Sequence, residues 1–121
     1  MRIIKLDDPL KIIAAKQEVE SKLLEDKKIE KEFELQEFIK YLSLQNTIYV
    51  KNDTVVPFRI FDDMLFITAD DTVIKEVSEY LASLSYDLSK LTEVPMVDVY
   101  NGELDSYPIF FIINSKYMVL K

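Results

Sequence analysis

Residues 95–121 read PMVDVYNGELDSYPIFFIINSKYMVLK, and how this stretch turns back on itself decides the fold. Asn101-Gly102 lies between two runs that favour strand, and a two-residue type I′ turn needs φ > 0 at both central positions, which Asn and Gly tolerate best. A hairpin is expected there, with Tyr100 opposite Glu103, Val99 opposite Leu104 and Asp98 opposite Asp105. A second reversal is expected at Asn114-Ser115. Ile109 to Ile113 is a short unbroken apolar run, so it reads as a strand buried on both faces, with partners at Val97 to Tyr100 and Tyr117 to Leu120.

Upstream, Asp70 or Asp71 caps a helix whose apolar positions Val73, Val77, Tyr80, Leu81, Leu84, Leu88 and Leu91 share one face. Before it, Asn46 to Lys51, Thr54 to Phe61 and Met64 to Ala69 read as strands, with turns at Asn52-Asp53 and Asp62-Asp63. Arg2 to Leu6 is a short β-prone run. Asp8 then offers a helix cap and Pro9 a first-turn residue. Ile12, Ala15, Val19 and Leu23 form one stripe on a helix reaching about Asp26, while Leu35, Phe38, Ile39 and Leu42 form a second stripe out of phase with it. Either the helix kinks or breaks tightly between Asp26 and Lys31, or one long helix shows different faces to two neighbours. In the second case Ile12, Val19 and Leu23 would meet another copy, and a homodimer is expected through them.

The halves resemble each other. QEFIKYL precedes IYVKNDTVVPFRIFDDMLFI, and KEVSEYL precedes VDVYNGELDSYPIFFIINSKYMVL, with prolines at Pro57 and Pro108 opening comparable strands. The expectation is a single α+β domain over residues 1–121, its helices on one face of a mostly antiparallel sheet built from a duplicated α-β-β-β unit.

The absences narrow the chemistry. The chain has no cysteine and no histidine, which removes thiolate nucleophiles, disulfides, His-based general bases and Cys/His metal sites. Its single glycine, Gly102, is committed to a turn, so neither a P-loop nor a dinucleotide fingerprint can be assembled. No cofactor is expected. No apolar run approaches the ~20 residues of a membrane helix, and the N-terminal residues do not read as a signal peptide. A cytoplasmic protein without membrane contact is expected.

The formal net charge is −7, and it is concentrated: Asp53 to Asp105 holds twelve acidic residues against Arg59, Lys75 and Lys90. No basic stripe exists to displace phosphate counterions, so direct nucleic-acid binding is disfavoured. The remaining reading is a small non-catalytic protein that meets a basic surface of a protein partner through Asp62, Asp63, Asp98, Glu103 and Asp105. The pattern suits an accessory factor or inhibitor of the kind viruses and plasmids encode. Two alternatives stand beside it: a divalent-metal phosphoesterase using the Asp98/Asp105 pair, and a structural subunit of a larger assembly. Arg59, beside Phe58 in a strand, is expected to point outward and pair with a local acid.

Overall fold

The computed structural model describes residues 1–50 and 54–120. The turn expected at Asn52-Asp53 lies outside the described residues. In chain order the elements are β1 (Arg2–Lys5), α1 (Pro9–Glu25), α2 (Leu35–Leu42), β2 (Asn46–Val50), β3 (Thr54–Phe61), β4 (Met64–Ile67), α3 (Asp71–Ser83), β5 (Thr92–Glu93), α4 (Met96–Tyr100), β6 (Ile109–Ile113) and β7 (Lys116–Val119). Short 3-10 turns cover Leu88–Lys90 and Glu103–Ser106. The strand order is β1-β4-β3-β2-β6-β7-β5. The sheet is mostly antiparallel, with β1 parallel to β4. This is the expected α+β class. Two compact units divide the chain, Met1–Leu44 with Arg59–Thr68 and Gln45–Phe58 with Ala69–Lys121, and the boundary falls inside β3.

The first unit is organised by α1. Asp8 caps it as expected, accepting from the Lys11 N–H at 3.3 Å, and Pro9 occupies the first turn. Its stripe of Ile12, Ala15, Val19 and Leu23 is buried with Ile4, Phe38, Leu42, Met64 and Phe66 in one core. The homodimer contact expected of Ile12, Val19 and Leu23 is therefore corrected: these side chains are consumed by their own unit. The helix is broken rather than continuous. The Lys28 N–H reaches back to the Leu23 carbonyl at 2.8 Å and the Lys27 N–H to Leu24 at 3.2 Å, a Schellman closure with Lys27 at φ 57. The break is also longer than a kink, since residues 26–34 are non-helical. Glycine would mark such a stop in a sequence; here lysine adopts the left-handed conformation at a cost of ~1 kcal/mol. Lys27→Gly is accordingly expected to stabilise the protein by about 0.5–1 kcal/mol, read as a higher urea midpoint at unchanged slope.

In the second unit β6 is the central strand, paired antiparallel with β2 on one side and β7 on the other. The Asn114-Ser115 reversal is present, both residues having positive φ (51 and 65) as a I′ turn requires. The Asn101-Gly102 hairpin is not. Met96–Tyr100 is helix, Asn101 has φ −83, and only Gly102, at φ 76, is left-handed. The physical reason is occupancy: β2 and β7 take both edges of β6, and β5 takes the far edge of β7, leaving Val97 to Tyr100 no partner there. The second half thus runs helix, strand, helix, strand, strand, and the α-β-β-β duplication fails at this point; Pro57 also lies inside β3 whereas Pro108 precedes β6.

Alternation along β6 separates two packing surfaces. Phe111 is buried against Phe58, edge to face at 6.0 Å, and against Tyr80 of α3 at 5.8 Å. Phe110, on the opposite face, stacks on Tyr49 at 4.7 Å and meets a small core of Val94, Leu104 and Val119 to which Val99 of α4 contributes. The strand expected to be buried on both faces is fully covered only at Ile109 and Phe111; Phe110, Ile112 and Ile113 are half-buried. Helix α3 starts at the Asp70 cap as read but stops at Ser83, where Ser85 and Tyr86 turn left-handed and the Tyr86 N–H closes on the Leu81 carbonyl at 2.9 Å. Leu88 and Leu91 belong to the segment beyond.

Candidate functional site

The five carboxylates expected to form one acidic face are split between the two units. Asp62 and Asp63 make the two-residue turn between β3 and β4, with Asp62 at φ 54. Both are neutralised locally. Arg2 donates to Asp63 at 2.9 Å and to Glu18 at 2.7 Å, and Lys22 of α1 pairs with Asp62. The Arg2 guanidinium holds the Glu18 and Asp63 carboxyls below their ordinary values of 4.5 and 3.8, while Asp62 raises Lys22. Because the folded carboxyl values are depressed, their contribution to stability is complete above the ordinary values and is lost as pH falls through and below them. Urea midpoints measured between about pH 6 and about pH 3 should fall less steeply for Arg2→Gln than for the parent chain. Equal slopes would show that this network carries no linkage.

Among the described residues Arg59 pairs with no acid. It donates to the Leu42 carbonyl at 3.0 Å, closing the C-terminus of α2, and lies over the Tyr41 ring at 5.9 Å. This corrects the expected ion pair: a cation at a helix C-terminus satisfies an orphan carbonyl as well as the negative end of the dipole.

Asp98, Glu103 and Asp105 do come together in one segment of the second unit. Pro95 opens α4, Gly102 ends it, and the 3-10 turn Glu103–Ser106 follows, so residues 96–106 form a compact knuckle pinned by buried Leu104 and half-buried Val99. Gly102 is favoured by its positive φ, while a Cβ there would stand 3.3 Å from the carboxylate of Asp105, an exposed side chain able to give way. The anchoring residues leave the others outside. Met96, Val97 and Tyr100 are 50, 62 and 83% exposed, an apolar tip bordered by the three carboxylates. Asp98 and Asp105 make no ion pair among the described residues. The strand register that would have set Asp98 opposite Asp105 is absent, and among the described residues no group of three or more carboxylates is placed to share a metal ion.

No family model, curated protein or solved structure matches this chain. Its function must therefore be argued from these surfaces. No helix among the described residues is long and apolar enough to cross a membrane. What the sequence reading missed in this segment is the exposure of Met96, Val97 and Tyr100: Val97 to Tyr100 read as a strand paired with Ile109 to Ile113, and Met96 lay outside it. The one available signal was Pro95 followed by Asp98, a first-turn acid behind a proline.

Proposed function

We propose that the protein is a non-catalytic binding module whose knuckle, residues 96–106, docks on a basic surface of a protein partner. The observation that carries this reading is the exposed Met96–Val97–Tyr100 tip set among Asp98, Glu103 and Asp105. Exposed aromatic and aliphatic side chains on an otherwise well-packed unit supply the apolar anchors that dominate protein interfaces, and the surrounding carboxylates supply steering and register. Asp62 and Asp63 are left out of the surface because Arg2 and Lys22 already answer their charge.

The test is capture of partners from source-cell extract on immobilised protein at low salt. Tyr100→Ala, and separately the triple change Asp98→Asn, Glu103→Gln and Asp105→Asn, should each weaken capture of the same partner by roughly tenfold or more, whereas Asp62→Asn with Asp63→Asn should leave it unchanged. Raising the salt should reduce capture by the parent chain and have little effect on what the triple variant retains. Undiminished capture by both knuckle variants would remove this reading.

A further inference from the structure

A second surface stands on different observations, in the first unit. Strand β1 is the outer strand at its end of the strand order, and its inward ladder is fully assigned: the Arg2 and Leu6 N–H groups donate to the carbonyls of Asp63 and Ile67 at 2.6 and 3.1 Å. In a parallel pair alternate residues bond to the same neighbour, so with Ile3 in register with Leu65 the N–H and carbonyl of Ile3 both face the open side. A groove of about 440 Å³ runs along that edge, bounded by Arg2, Ile3 and Ile4 on one wall and by Lys11, Ala14, Ala15 and Glu18 of α1 on the other. Its floor is low because two alanines face it. Its charge is unbalanced in one place: Arg2 is already shared by Glu18 and Asp63, whereas Lys11 makes no ion pair among the described residues.

We propose that this edge accepts an extended peptide segment as an additional strand, with apolar side chains at alternate positions entering the groove and a carboxylate meeting Lys11. An antiparallel peptide residue opposite Ile3 would exchange both backbone hydrogen bonds with it, since in such a pair one residue on each strand gives and takes. Helix-flanked strand edges bind peptides in this way, the backbone giving affinity and the pockets giving selectivity. A second copy of the chain is a poorer occupant, because pairing β1 with β1 gathers Arg2 and Lys5 of both chains at one edge.

The probe is a displayed library of random peptides about ten residues long, with enriched sequences synthesised and titrated by calorimetry. Enriched peptides should alternate apolar and polar residues and carry Asp or Glu. Ile3→Pro deletes the outward donor while leaving the β4 ladder intact, a position where edge strands tolerate proline, and Ala14→Trp fills the groove from the helix side. Each should weaken binding by roughly tenfold or more, and Lys11→Gln should abolish the preference for acidic peptides. If Ile3→Pro does not fold, Ala14→Trp decides alone. Failure to enrich any peptide, binding indifferent to Ala14→Trp, binding lost only in Tyr100→Ala, or dimerisation of the free protein abolished by Ile3→Pro would each overturn the proposal.

Discussion

Replacing Glu20 with alanine is expected to lower the unfolding free energy by about 3 kcal/mol, far more than a helix-surface glutamate would cost. Glu20 is only 3% exposed and is the one charged residue found buried among the described residues. The same Oε1 atom accepts from Lys16 Nζ at 2.6 Å, one helical turn away, and from the Phe33 N–H at 2.9 Å. The second contact ties the non-helical segment 26–34 back onto α1, where Ile29 and Phe33 pack on the core and Phe33 stacks on Tyr41 at 5.0 Å. Alanine strands a backbone donor and a partly buried ammonium together. Glu20→Gln keeps an acceptor for Phe33 but loses the charge pair, so it should cost about half as much. Pairing Glu20→Ala with Lys16→Ala should recover part of the loss, because the uncompensated cation is then gone. Urea denaturation of five proteins, the parent, Glu20→Ala, Glu20→Gln, Lys16→Ala and the double variant, checks this; additive losses for the two alanine changes would mean that Lys16 and Glu20 are not coupled.

Phe111→Ala should be the most damaging single change in the second unit, at about 4 kcal/mol. The ring has no exposure and contacts Phe58 and Tyr80 at centroid distances of 6.0 and 5.8 Å. It also sits on a strand flanked on one side by β2 and on the other by β7, so the surrounding side chains have little freedom to collapse into the space left. Phe111→Leu, which retains most of the volume, should cost about 1 kcal/mol. Phe110→Ala on the half-buried face should fall between the two. Near-ultraviolet circular dichroism would report loss of the aromatic cluster alongside the shift in urea midpoint. Equal losses for Phe110→Ala and Phe111→Ala would contradict the two-faced packing described for β6.

The candidate surfaces were legible in composition more than in placement. Asp98, Glu103 and Asp105 stood out as an acidic group, and they do share one segment, but by way of a helix and a 3-10 turn rather than a hairpin. Asp62 and Asp63 stood out equally. Their neutralisation could not be read from sequence, because Arg2 lies sixty-one positions before Asp63 and is brought to it by the parallel pairing of β1 with β4. Glu20 gave no signal at all: an exposed-looking glutamate at i+4 from a lysine is ordinary on any helix surface.

Local chemistry alone determined the starts of α1 and α3, through Asp8-Pro9 and Asp70, the limits of β3, and the Asn114-Ser115 reversal. Each of these depends on groups within a few residues of one another, where caps, prolines and left-handed positions act without help. The tertiary structure decided where α1 and α3 stop, which neighbours β6 takes, and which side chains the knuckle leaves in water. Helix stops without glycine depend on a lysine and a serine being held left-handed by backbone bonds and packing. Strand partnership is a competition between distant segments, and β2 won the edge of β6 that Val97 to Tyr100 would otherwise have occupied.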